Sequence, residues 1–296
     1  MGASRPVSLL VVAATYLFAG VLAVLTSALL GGWHPLLVAF VADVVATVGV
    51  FAVSVVVANA SVYDPYWSVA PPVVVCGWAA GAERLTPRGA LVIALVLIWA
   101  VRLTTHWVNT WRGLGHEDWR YIQVRDATAG RLPWWLVNLT GIQLMPTVVV
   151  FLALLPGWPA VTMSRPLGIV DILATLVTAA AIAIETIADL QLRRFTSDSA
   201  NRGLVADHGL WRYSRHPNYL GEIGFWCGIW LFGLAAEPRW WWSGLGVLVV
   251  VVLFVFASVP MMDRRSLARR AGYGQYMRVV PPLIPRPRAT GARARW

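Results

Sequence analysis

The sequence predicts an all-α polytopic membrane bundle of about eight transmembrane helices, and three observations carry that prediction. Of its 296 residues, 58% are hydrophobic and 13% charged, whereas soluble domains carry about 25% charged residues. Apolar runs of roughly 20 residues, the length a helix needs to cross hydrocarbon, follow one another closely. The basic residues are all arginine, and they gather in alternate loops.

The runs lie near 7–30, 35–58, 67–83, 88–110, 134–156, 167–191, 218–236 and 240–262. The first is too long for a signal peptide and lacks a cleavage pattern of small residues. The third is short and opens in an aromatic, Pro-bearing segment, so a broken or tilted helix is expected there; the seventh is short as well. The close succession of runs leaves no room for a separate soluble domain. No internal repeat is present.

Eight spans place both termini and the loops 59–66, 111–133 and 192–217 on one side. Nineteen of the 24 arginines fall on that side and four on the other, with Arg102 inside a span. The positive-inside bias therefore predicts cytoplasmic termini. All-arginine usage with abundant Ala and Val suggests a GC-rich bacterial genome and hence the inner membrane. The formal charge of +10 lies beside apolar spans, so lipid or phosphate is the expected partner rather than nucleic acid. The tail after Pro285 is basic and aperiodic, and is expected to be disordered against lipid. Cys76 and Cys227 lie far apart in apolar runs with no metal-ligand spacing, so neither a disulfide framework nor a metal site is expected.

Ionisable groups at membrane depth are costly and usually face an interior or a cavity. Here they are Asp43, Arg102, His106, Asp171, Glu185, Asp189 and Glu222. Asp43 and Asp171, nearer the outer half, suit a structural pair as well as a site. Glu185, Asp189 and Arg193 follow at four-residue spacing and share a helix face, as do Arg102 and His106. These groups predict a polar chamber open to the cytoplasm beside arginine-rich loops, suited to a phosphorylated anion.

The most informative stretch is Asn201–Glu222, NRGLVADHGLWRYSRHPNYLGE. Pro217 can open a helix, since its missing N–H is not needed in the first turn. Asn218 and Glu222 then share a face, with Tyr219 beside them. An amide, a phenol and a carboxylate there can hold an amide, a ribose or an adenine edge. No glycine fingerprint of a Rossmann domain occurs.

This stretch resembles the C-terminal region of the steroid 5α-reductase superfamily and the related membrane sterol reductases, and above all a bacterial branch of unknown function. Trp107–Tyr121, WVNTWRGLGHEDWRY, resembles that branch too. So does the ending with Arg269, Arg270, Gly272, Tyr273, Tyr276 and Leu283–Pro285. The similarity spans about residues 60–285. Membrane methyltransferases of the isoprenylcysteine type carry a similar Arg-His-Pro-Asn-Tyr segment.

The resemblance implies a seven-helix core over 35–285, preceded by an additional helix in 1–34 and followed by the tail 286–296. It implies NADPH bound from the cytosol and reduction of a carbon–carbon double bond conjugated to a carbonyl in a lipophilic substrate. Asp189, Arg193, Asn218, Tyr219 and Glu222 then fall on cofactor positions, with Tyr213, Arg215 and His216 beside them. Arg112, Asp118, Arg120 and Tyr121, with Arg264 and Arg265, are candidates for phosphates and adenosine. Asp64 matches a carbonyl-polarising glutamate; Trp99 occupies the position of its tyrosine partner, so Tyr66 is the candidate substitute. Trp67, Trp99 and Arg102 would line the substrate pocket. Desolvation would keep Asp64 protonated and able to donate.

A methyltransferase using S-adenosylmethionine is the main competing expectation, although Asp263-Arg264-Arg265 stands where those enzymes carry a Glu pair. A non-catalytic lipid-binding protein is another. The sequence points to no known protein partner.

Overall fold

The computed structural model describes residues 4–286, and every regular element among them is helical. Among the described residues, seven helices are long and apolar enough to cross a membrane. They are α1 (Arg5–Leu29), α2 (Pro35–Val56), α4 (Pro87–Thr110), α6 (Trp134–Leu154), α8 (Ile169–Ser197), α9 (Pro217–Ala236) and α10 (Pro238–Arg269). Shorter helices are α3 (Tyr66–Ala80), α5 (Trp119–Thr128), α7 (Gly157–Thr162) and α11 (Tyr273–Val279). The expected third span is the one that falls short. At about 1.5 Å per residue the 15 residues of α3 cover roughly 22 Å of a hydrocarbon core about 30 Å thick. Pro71 and Pro72 interrupt its hydrogen bonding. The expectation for the tail lies outside the described residues, apart from Arg286.

Helix starts follow local chemistry. Pro35, Pro87 and Pro217 stand in the first turns of α2, α4 and α9, where a missing N–H goes unnoticed. Thr86 caps α4 by accepting from the Gly89 N–H at 3.0 Å, and Asp118 caps α5 through Arg120 N–H at 2.8 Å.

The chain forms two compact units, Met1–Thr162 and Met163–Trp296. In the first, α1 packs on α2, α2 on α6, and α3 on α4, α6 and α7. The buried face of α1 is built of smaller residues, two of them hydroxyl-bearing (Ser8, Val12, Thr15, Ala19), while Leu10, Leu17 and Val24 point outward. That polarity is inverted relative to a soluble helix, as expected where the surroundings are lipid. A turn of π-helix, Asn138–Leu144, interrupts α6. Its Asn138 and Gln143 amides reach Ser54 on α2 at 3.3 and 2.9 Å.

In the second unit, α8 and α9 form the main antiparallel pair, with α10 on α9 and α11 on α10. Their approach depends on small residues: a Cβ on Gly228 would sit 2.0 Å from the Thr178 hydroxyl. A second π-helical turn, Phe254–Ser258, lies within α10.

Candidate functional site

Two polar clusters stand out, one in each unit.

In the first unit, the turn Ala60–Tyr63 delivers Asp64 to the start of α3. This segment is stitched to the loop after α4. The Asn59 amide donates to the carbonyls of Leu114 (2.8 Å) and His116 (3.3 Å). Ala60 N–H donates to Glu117 Oε1 at 2.9 Å, and Asp118 N–H donates to the Ser61 hydroxyl at 2.8 Å. Asp118, so fixed, caps α5 and takes the Arg120 guanidinium on both oxygens, at 2.9 and 3.2 Å. That geometry brings Arg120 within 3.8 Å of Asp64 and lets the Tyr121 hydroxyl donate to the Asp64 carboxylate.

The Asp64 side chain is 12% exposed. Burial pushes its carboxyl up to about 6, against the opposing pull of Arg120 and the Tyr121 hydrogen bond. The Tyr121 phenol is driven up in turn, first by its own burial and then by the neighbouring Asp64 charge.

Tyr66 behaves differently from the expectation that it joins Asp64. Its hydroxyl donates to Asp43 Oδ1 at 2.7 Å, and its ring stacks on Tyr63 at 5.4 Å. Tyr63 in turn meets the Thr147 hydroxyl at 2.8 Å, which meets Thr47 at 2.8 Å. Asp43 therefore has the structural partner that its position left open. Tyr121, expected among the phosphate and adenosine ligands, is the phenol beside Asp64.

Trp99 is fully buried, whereas Trp67 and Arg102 are half-buried and Arg112 is exposed. An open groove on this unit, about 620 Å³, runs between α3 and α4. It is lined by Ser68, Val69, Pro72, Leu97, Val101 and Thr104, among others, and not by Trp67, Trp99 or Arg102.

In the second unit, Asp263 is a hub. Arg215 donates to both of its oxygens (2.8 and 3.3 Å), His216 Nε2 lies 3.0 Å away and the Tyr273 hydroxyl donates at 2.6 Å. Arg215 also donates to the carbonyl of Val280 at 2.7 Å. The backbone N–H groups of Arg215 and His216 donate to Pro281 and Pro282. Arg215 and His216, both expected at the cofactor, are thus buried and committed to holding the segment after α11. In the sequence, Asp263 stands out only as a departure from a methyltransferase pattern. Its burial next to Tyr273 was not legible there.

The other expected residues form a more open set. Asn218 donates to Asp189 Oδ1 at 3.3 Å, while its own carbonyl oxygen is buried without a hydrogen-bond partner. Tyr219 stacks on His216 at 5.2 Å and packs on Phe254 at 4.7 Å. Glu222 is buried and accepts from the Trp226 indole at 2.8 Å. Glu185 is buried too, while Arg193, Tyr213 and Arg264 are exposed and Arg265 is half-buried.

Apolar spans around buried, hydrogen-bonded carboxylates define a polytopic helical membrane protein. Its family follows from sequence comparison: the profile of the family described as Protein of unknown function (DUF1295) matches residues 50–280, and the chain belongs to that family. An uncharacterized protein of Schizosaccharomyces pombe is 26% identical over 265 residues, covering 80% of this chain and 75% of the relative. No solved structure matches the chain.

Proposed function

We propose that this chain is a membrane-embedded, NADPH-dependent reductase of a carbon–carbon double bond conjugated to a carbonyl, acting on a lipophilic steroid- or isoprenoid-like substrate. The observation that carries the reading is Asp64: a buried carboxyl raised to about 6 and held by a tyrosine. Such a group offers a proton or a hydrogen bond to a carbonyl oxygen as negative charge builds there.

Residues of the second unit fit the cofactor in part. The unpartnered Asn218 oxygen is an acceptor for an amide or a ribose hydroxyl. The exposed Arg193 and Arg264 are available to phosphate. Arg215 is saturated by Asp263 and is not assigned to phosphate. When bound, NADPH supplies the hydride. The chain's own part is to keep Asp64 dry and oriented through Tyr121 and Arg120. The arginine asymmetry supports cytoplasmic termini, and so a cofactor drawn from the cytosol.

The test is ligand-induced thermal shift on the detergent-purified chain, with NADPH and S-adenosylmethionine run side by side. Stabilisation by NADPH alone is expected. Stabilisation by S-adenosylmethionine alone replaces the reductase by a methyltransferase, and a response to neither leaves a lipid-binding protein.

A further inference from the structure

We infer that α1 is a positioning element for the Asp64–Tyr121 pair, acting through Arg5 and Ser8 on the loop that follows α4. The inference rests on reading Asp64 as the proton-bearing group. It concerns a helix that lies ahead of the residues matched by the family profile, which begin at 50.

The last carbonyls of a helix lack intrahelical donors and carry the negative end of its dipole. At the end of α4 those carbonyls are met by α1. Arg5 Nε donates to Trp111 O at 3.1 Å, and a second guanidinium nitrogen donates to Val108 O. One turn further along α1, the buried Ser8 hydroxyl accepts from Leu114 N–H at 3.1 Å. Between these contacts the backbone at Gly113 has φ +98°, and a Cβ there would lie 3.0 Å from the Ser8 oxygen. Glycine is required at that point by both the turn and the close approach. Further down α1, Tyr16 donates to Val62 O at 2.8 Å.

α1 thus holds both segments that make the site: the turn ending in Asp64, through Tyr16, and the loop leading to Asp118, Arg120 and Tyr121, through Arg5 and Ser8. The opposite side of the same loop is tied to Asn59, Ala60 and Ser61. The loop is therefore clamped from two directions, and removing one clamp frees α5 to withdraw from Asp64. The titratable groups facing Asp64 are Arg120, Tyr121 and Asp118 from the α5 side, Tyr16 from α1 and Tyr63 from its own turn. Arg120 and Tyr121 favour the ionised carboxylate, whereas burial, the largest influence, and Asp118 favour the protonated acid, so withdrawing α5 moves the titration of Asp64 off its wild-type value.

The experiment is covalent labelling of the full chain in detergent with dicyclohexylcarbodiimide, which reacts with protonated carboxyls, read at the Asp64 peptide by mass spectrometry across pH. Arg5→Ala and Ser8→Ala are expected to displace the labelling midpoint by about one pH unit or more, the scale of changing both the burial and the near charges of a carboxyl. Arg5→Lys, which keeps a cation at the end of α4, is expected to reverse part of the shift. Leu10→Ala, on the outward face of α1, is expected to leave the profile unchanged. Folded Arg5→Ala and Ser8→Ala variants with the wild-type midpoint overturn the inference. Should Arg5→Ala fail to fold, Ser8→Ala decides. Loss of fold in both also overturns it, because the clamp then serves stability alone. Labelling needs neither cofactor nor substrate, so a shifted midpoint in a chain that reduces nothing sinks the reductase reading and leaves this one standing.

Discussion

Tyr121 donates its phenolic hydrogen to Asp64, a residue 57 positions earlier in the chain. The contact joins the turn before α3 to the first turn of α5, and it makes the two residues one chemical unit. Removing the hydroxyl takes from Asp64 one of the groups that favour its ionised form. We therefore expect Tyr121→Phe to retain the fold while raising the Asp64 titration above its value of about 6. Under the proposed function, turnover falls by about 10²–10⁴-fold if the pair transfers a proton. Enone reduction measured by NADPH oxidation, alongside carbodiimide labelling at Asp64, checks both parts.

Asp64 also sets a pH dependence of stability, whose sign follows from the direction of the shift. Its carboxyl rises from an ordinary 3.8 to about 6 on folding, so between those values the folded chain holds a proton that the unfolded chain has released. This contribution is fully favourable below pH 3.8 and is lost as pH rises through about 6. A shift of roughly two pH units corresponds to about 3 kcal/mol. Melting temperature should therefore drop across that window in the wild type, and the drop should be absent in Asp64→Asn. Equal pH profiles for the two proteins would remove Asp64 from the account.

The helical fold was readable from the sequence because lipid demands long apolar runs, and each of the seven long spans coincides with one of the expected runs. The exception, α3, carried its own warning in Pro71 and Pro72. The site was readable only in parts. Asp189, Asn218 and Glu222 were visible because four-residue spacing places them on predictable faces of α8 and α9. Tyr121 beside Asp64, Tyr66 beside Asp43 and the Asp263 hub were not, because each joins elements distant in sequence. Helical periodicity gives a face and says nothing of what meets it. The π-helical turn in α6, which aims Asn138 and Gln143 at Ser54, had no signal in the apolar pattern.

Asn218 separates cofactor binding from folding. Its carbonyl oxygen has no hydrogen-bond partner, and its amide makes a single long bond of 3.3 Å to Asp189. Asn218→Asp keeps the acceptor but sets a carboxylate against Asp189; Asn218→Ala deletes it. We expect Asn218→Ala to cost less than about 1 kcal/mol of stability, the net value of one ordinary hydrogen bond. NADPH affinity should fall by roughly tenfold, which thermal shift or cofactor fluorescence measures. Undiminished affinity would move the cofactor site elsewhere.

Arg215 and Arg264 make a contrasting pair of arginines in the second unit. Arg215 is buried against Asp263, with side-chain exposures of 9% and 8%, while Arg264 is exposed. Removing one partner of a buried ion pair leaves an uncompensated charge and costs about 3–5 kcal/mol. Asp263→Ala, which strands Arg215 and also deprives His216 and Tyr273 of their acceptor, should therefore lower the melting temperature sharply or abolish monodisperse expression. Arg264→Ala should leave stability within about 0.5 kcal/mol, the range of ordinary surface substitutions, while weakening NADPH binding if the exposed arginine meets phosphate. A stable Asp263→Ala protein with the wild-type melting temperature would show that the hub does not hold the segment after α11. Arg215 would then return to the set of residues available to a phosphate.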